Sequence, residues 1–258
     1  MSQHRPRVLI YDVESSLQLA AIFQLAHNDW IRPDSLVSER HLLCAAWKWE
    51  GEARVHTVSL LDDMKRYRKD PHDDYHVVKR LHEVMSEADV LVHHNGDSFD
   101  KRYVDTRILY HGLDPLPPIH SVDTKKVAKA RFLFNSNSLD YLGRFLKLGR
   151  KRDTTPGLWM RVLNGDVKAL QEMLVYNIQD TRLLERVYLK LKPYTQVASL
   201  ELFGQREGCP RCGSKNVQSR GLHRALTKVY RRWCCSDCGG WYRTLRATPN
   251  TSTPNRTL

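Results

Sequence analysis

The stretch "VLIYDVESS", Val8 to Ser16, starts as an unbroken apolar run and ends on acids and hydroxyls. Such a run fits a strand buried on both faces, whose end opens into a site. Residues two apart on a strand share a face, so Asp12 and Glu14 project the same way. Two carboxylates aimed together from an apolar strand repel each other and lose hydration unless a cation lies between them. A divalent metal resolves that conflict, and a strand end whose acids both reach solvent is the other solution.

Working outward, "HLLCAAWKWEGEARVHTVSLL" predicts a hairpin turning near Glu50-Gly51-Glu52, which makes three early strands. "DYHVVKRLHEVMSEA" has helical spacing and leads into "DVLVHHNG", a short strand stopped by Asn-Gly. "FDKRYVDTRILYHG" predicts a helix with a glycine stop, "IHSVDT" a further strand, and "SLDYLGRFLKLG" a capped helix. Helical periodicity is nearly unbroken from Asp166 to Leu191 and ends around Lys192-Pro193. Three strands followed by alternating helix and strand predict an α/β mixed sheet flanked by helices. "LELFGQREG" reads as a linker to a small cysteine module, and "TPNTSTPNRTL" as a disordered tail. The expected divisions are residues 1–200, 205–247 and 248–258.

Two further acidic positions join Asp12 and Glu14. Asp100 follows the strand ending at Asn95 and stands at the start of a helix, as a dipole partner or a member of a carboxylate cluster. In "YNIQDTRLLERVY", Tyr176 and Asp180 are four apart on one helical face, so phenol and carboxylate enter the same space. An all-oxygen donor set of separated Asp and Glu suits Mg²⁺ or Mn²⁺ better than zinc. His93 and His94 are adjacent, so at most one faces a cleft, and a structural role is expected for both. Asp123 is expected to cap the helix beginning near Thr124, and Asp97 stays ambiguous between cap and site.

Asp-x-Glu on a first strand, Asn-x-x-x-Phe-Asp after a later strand and Tyr-x-x-x-Asp on a late helix resemble, in order, the three motifs of DnaQ-like 3′–5′ exonucleases of the ribonuclease H-like fold. The tyrosine form (DEDDy) is similar to the proofreading domains of family B DNA polymerases. The resemblance covers residues 7 to 192, and "SLDYLGRFLKLGRK" is a weaker match to the segment before the last motif. It implies that Asp12, Glu14, Asp100 and Asp180 bind two Mg²⁺ or Mn²⁺ ions and that Tyr176 positions the attacking water. Asn95 and Phe99 would contact substrate or pack under it, with packing expected of Phe99. No polymerase domain accompanies the motifs, so a stand-alone nuclease or one acting with a separate partner is expected. By the resemblance the substrate is nucleic acid, DNA ahead of RNA.

"CPRC" (Cys209, Cys212) and "CSDC" (Cys235, Cys238), 22 residues apart, have the spacing of a four-cysteine zinc ribbon. Cys234 breaks the two-residue spacer, so it and Cys44 are expected to be unliganded; a redox pair is the competing reading. Arg224, Lys228, Arg231, Arg232 and Trp241 are candidates to grip phosphates and stack bases. About half of Tyr230, Trp233, Trp241 and Tyr242 are expected in the module's small core.

Composition agrees with a polyanion partner: Lys plus Arg total 41 against 29 Asp plus Glu, a formal net charge of +12. Six cysteines, four of them in C-x-x-C pairs, point to metal in a reducing compartment, the cytoplasm, rather than to a disulfide framework. No apolar run reaches membrane-spanning length, and "MSQHRPR" leads into no signal-peptide apolar region, so neither insertion nor export is expected. Rival functions on the same residues are an RNase, an endonuclease, or a binding adaptor with an idle site.

Overall fold

The computed structural model describes residues 6–22, 31–152, 156–195, 208–210, 212–226 and 228–245. In chain order the first unit, Pro6–Leu191, contains β1 (Val8–Ser15), β2 (Leu19–Ala20), β3 (Leu36–Ser38), β4 (Leu42–Trp49) and β5 (His56–Ser59). Then follow α1 (Met64–Lys69), α2 (Tyr75–Ser86), β6 (Val90–His93), α3 (Asp100–Tyr110), β7 (His120–Asp123), α4 (Thr124–Arg131), α5 (Leu139–Phe145), α6 (Pro156–Leu163) and α7 (Val167–Leu191). The apolar run of β1 is central because the five-stranded sheet has the order β5-β4-β1-β6-β7. It pairs antiparallel with β4 and parallel with β6, so the sheet is mixed.

Register sorts the two faces. Tyr11 opposes Trp47 and Val13 opposes Ala45, which puts these side chains on the α2 face, where the Arg80 guanidinium lies over the Trp47 ring. Asp12 opposes Ala46 and Glu14 opposes Cys44, on the face covered by α7. There Thr181 Oγ1 donates to the Ala46 carbonyl at 3.3 Å, and Lys48 Nζ pairs with Glu185 at 2.6 Å. No glycine or proline interrupts α7, and its buried positions, Leu170, Met173, Tyr176, Asn177, Asp180, Thr181 and Leu184, recur at helical spacing. Asp166 begins the helix by accepting from the Lys168 and Ala169 amides.

The early hairpin, the α2–β6–α3 crossover, β7 and the closing helix stand where the sequence predicts them. Asp123 caps α4 as expected, its carboxylate accepting from the Lys125 and Lys126 amides. Helix α6 and the β2–β3 ribbon are additions. Eight residues make about two turns, and two- and three-residue strands carry no usable period.

The chain from Lys192 belongs to a second unit, whose described residues include a 3-10 turn at Lys192–Tyr194 and an antiparallel sheet of β8 (Val217–Arg224), β9 (Val229–Cys235) and β10 (Trp241–Leu245), ordered β10-β9-β8. The expected linker up to Glu207 and the tail from Thr248 lie outside the described residues. Among the described residues no helix is long and apolar enough to cross a membrane.

Candidate active site and cysteine cluster

Asp12 and Glu14 leave β1 on one face, and α7 lays Tyr176, Asn177 and Asp180 over it. One carboxylate oxygen from each of Asp12, Glu14 and Asp180 lies within 4.8 Å of the others. Asp100, the first residue of α3, stands outside this triad but close enough that its charge raises the proton affinity of both Asp12 and Glu14. Tyr176 sits one turn from Asp180, as the spacing predicts, and its ring meets Trp159 edge-on.

Two neighbours were not singled out in the sequence. Asn177 Nδ2 donates to Asp12 Oδ2 at 2.8 Å and fixes that carboxylate. Lys151 Nζ lies 2.5 Å from Asp180 Oδ2 and donates to Tyr176 Oη at 3.0 Å. Asn177 had one available signal, its place three residues before Asp180 on the same helical face. Lys151 had none, because "GRKRD" offers three cations in a row, and which of them turns inward depends on packing.

The electrostatics are those of a site short of positive charge. Burial, then the charges of Glu14, Asp100 and Asp180, push the Asp12 carboxyl well above its ordinary range. Burial raises Glu14 to about 8 and Asp100 to about 6, with Lys151 pulling both back. Burial also raises Asp180 against the pull of Lys151. Despite its own burial, Lys151 is held above its usual range by Asp180 and Asp12. One ammonium does not balance four carboxylates. Moreover, Asp180 Oδ1 and Asn177 Oδ1 are buried without a hydrogen-bond partner, while Asp180 Oδ2 is held by the Lys151 ammonium. Orphaned oxygens, an all-oxygen donor set and mutual repulsion fit a hard divalent cation.

The loop carrying the second motif is fixed from below. Asn95 is left-handed (φ 67°), and its amide donates to Asp123 Oδ1 at 2.9 Å. His93 is fully buried; its Nδ1 accepts from the Gly96 amide, which leaves Nε2 to donate to Ser121 Oγ. His94 Nδ1 meets Thr124 Oγ1 at 2.9 Å, so both histidines are structural, as expected. Asp97 is bound by Ser121 and Lys126, which resolves its ambiguity: it ties the loop to β7 and α4. His93, Asp97 and Asp123 also draw together, but protein donors already satisfy them. Phe99 departs from the expectation that it packs beneath the site. It is 37% exposed, stacked on Tyr103 with the Arg40 guanidinium over its ring. Asp100 begins α3 pointing inward, and Phe99, in the turn just before it, is directed to solvent.

An RNase H superfamily model matches residues 50–192, more than half of the 258. The chain belongs to the RNase H superfamily. The matched span holds Asn95, Asp100, Lys151, Tyr176 and Asp180, while Asp12 and Glu14 precede it on β1. No curated protein matches the chain. Membership in the RNase H superfamily brings metal-dependent nuclease chemistry with nucleic acid as substrate, and the acidic cluster on the central strand agrees with it.

In the second unit Cys209, Cys212, Cys235 and Cys238 converge within 4.8 Å. The Cys209–Cys238 and Cys212–Cys235 sulfur separations are 3.7 and 3.6 Å. A disulfide needs about 2.05 Å. A tetrahedron of sulfurs about 2.3 Å from a central zinc has edges of about 3.8 Å, so the spacing fits a metal. Cys234 Sγ is instead directed at the Cys235 carbonyl, 3.9 Å away, and Cys44 is buried in the first unit's core. Trp233 and Tyr242 stack on each other, whereas Trp241 is 52% exposed.

Proposed function

We propose that the chain is a DnaQ-like 3′–5′ exonuclease of the DEDDy type, acting on single-stranded ends, DNA ahead of RNA, and releasing 5′-mononucleotides. The observation that carries this reading is the convergence of Tyr176 and Asp180, one helical turn apart, on the Asp12–Glu14 face of β1, with Asp100 at the neighbouring helix start. Asp12, Glu14, Asp100 and Asp180 would hold two Mg²⁺ or Mn²⁺ ions. Bound there, such ions make water a nucleophile near neutral pH and offset charge developing on the phosphoryl group and the leaving oxygen.

The protein's own groups do the orienting. Burial raises the Tyr176 phenol to about 12, so it keeps its proton at neutral pH and is no general base. Its oxygen accepts from Lys151 and its O–H faces the Asp180 carboxylate, where it would hold the attacking water. Asn177 restrains Asp12, and Lys151 presents a cation where a phosphate oxygen would approach. Exposed Phe99 and left-handed Asn95 stand at the Asp100 loop, placed to meet the terminal nucleotide. The four cysteines would hold one structural Zn²⁺ in a ribbon that grips the strand.

The decisive experiment incubates the chain with 5′-labelled single-stranded DNA, matched RNA and 3′-blocked DNA, each with Mg²⁺ or Mn²⁺ and with EDTA. A metal-dependent ladder shortening from the 3′ end, stopped by the block and abolished by Asp12→Ala or Asp180→Ala, is expected. Cleavage that ignores the block would identify an endonuclease, and preference for the RNA an RNase. Binding without cleavage of any substrate would leave an adaptor with an idle site.

A further inference from the structure

The basic residues of the cysteine module are divided by strand register. Directly paired residues share a face of a sheet. Arg243 opposes Arg232, Trp241 opposes Cys234, and His223 opposes Tyr230, so Arg232, Arg243, Trp241, Tyr230 and His223 lie together. Arg231 opposes Thr244 and Leu222, Trp233 opposes Tyr242, and Arg224 opposes Val229, on the other side. That second face is the module's core side. It holds the Trp233–Tyr242 stack, tied by Trp233 Nε1 donating to Thr244 Oγ1, and the half-buried Val217, Leu222 and Val229.

We infer that the Arg232–Arg243–Trp241 face is the module's nucleic-acid platform and that its occupant is a single polynucleotide strand. This rests on the nuclease reading and narrows it to one face. Three observations carry it. Trp241 is 52% exposed and has no place in the core, which the other tryptophan supplies. Arg232 and Arg243 are like charges set directly opposite each other, a pairing that costs stability unless an anion lies across it. The Arg243 guanidinium lies 4.5 Å above the Tyr230 ring, whose other neighbour is His223, so cations and π-faces alternate along the sheet. From Gly208 to Leu245 eight Lys and Arg face one acid, Asp237, which Ser214 and Asn216 already engage. A flat face with an exposed ring is met by an unpaired base, whose ring face a duplex hides, while flanking arginines take the phosphates.

The test compares two charge reversals of equal size in the full chain, Arg232→Glu/Arg243→Glu and Arg224→Glu/Arg231→Glu, together with Trp241→Ala. Binding of 5′-fluorescein (dT)20 and (rU)20 is read by anisotropy over a salt series without added Mg²⁺ or Mn²⁺. Zinc content and circular dichroism verify that each variant folds. The first pair is expected to lose more than about tenfold in affinity and to flatten the log–log salt slope by about 1.4, since each lost single-strand phosphate contact removes about 0.7. Trp241→Ala is expected to lose about tenfold, the order one stacked base contributes. The second pair, nominated by the sequence for the same grip but set by register on the opposite face, should lose clearly less than the first, because net charge alone acts weakly through a screened surface. Equal losses from the two pairs, or a larger loss from Arg224→Glu/Arg231→Glu, overturn the face assignment even if the chain degrades DNA. A parent chain that neither binds nor cleaves the probes overturns the nuclease reading beneath it.

Discussion

Four residues make about one turn of helix, which is why Tyr176 and Asp180 reach the same few ångströms of space. Tyr176→Phe keeps the ring against Trp159 and removes only the oxygen held by Lys151. Turnover is expected to fall about 10²-fold, the order of one positioned donor, while affinity for single-stranded DNA changes little; an unchanged turnover number would remove the water-orienting role. The carboxylates make a separate prediction. Without metal, Glu14 titrates near 8 and Asp100 near 6, both above the ordinary carboxyl range of about 4. The folded chain therefore holds protons that the unfolded chain has released. Stability from these groups is full below their unfolded values and is lost as pH rises through about 6 and then about 8. The melting temperature of protein lacking Mg²⁺ and Mn²⁺ should fall from about pH 5 to about pH 8.5, and the rise on adding Mn²⁺ should grow over the same interval. A Mn²⁺-induced shift that shrinks with rising pH would count against this cluster as the metal site. The acids were legible in the sequence because strand and helix periods alone bring Asp12 to Glu14 and Tyr176 to Asp180. Lys151 was not, since its approach depends on α5 docking with Gly143 tight against the Gly149 carbonyl, where a Cβ would come within 2.7 Å.

The β6–α3 loop shows how an element holds a site it does not itself complete. A Cβ on Gly96 would lie 2.5 Å from His93 Cγ and Nδ1, and that ring is fully buried and bonded to Ser121 and to the Gly96 amide. Gly96→Ala must therefore shift the loop, and the loop runs directly into Asp100. We expect destabilisation of about 1–3 kcal/mol, as for overpacking elsewhere. Turnover should drop by about 10²-fold, as misplacing a reacting group by about 1 Å does. Thermal unfolding and single-turnover kinetics measure the two effects; wild-type turnover in a destabilised variant would show that Asp100 does not depend on this loop. The elements with strong periods, β1, the β4–β5 hairpin, α2 and α7, were readable in advance. The inward lock of His93 was readable only as far as strand alternation allowed. Its partners Ser121 and Asp123 come from β7, brought alongside by parallel pairing that no local pattern encodes.

At the scale of the whole chain, the two units are held by different physics. Pro6–Leu191 has a core built on strand residues with no exposure, such as Leu9, Ile10, Leu91 and Val92, and needs no metal to exclude water. Among the described residues from Gly208 onward only Cys209, Cys235 and Gly240 are buried, far too little apolar surface to offset the entropy of ordering three strands. On the proposed zinc site, thiolate–metal bonds would supply the difference, and the convergence of the four sulfurs is compatible with that reading. Stripping zinc with a strong chelator should therefore unfold the module alone. Tryptophan fluorescence should change as the exposed Trp241 and the stacked Trp233 lose their surroundings, while the main melting transition of Pro6–Leu191 persists. A chain ending after Gly204 should reproduce the stripped protein in binding: weaker hold on single-stranded DNA and a shallower salt dependence, because the cations of the module no longer displace counterions. It should still shorten oligonucleotides of a few residues, since the acids and Tyr176 all lie within the first unit. Equal affinity and equal salt slope with and without the module would mean that its positive charge serves something other than the substrate strand.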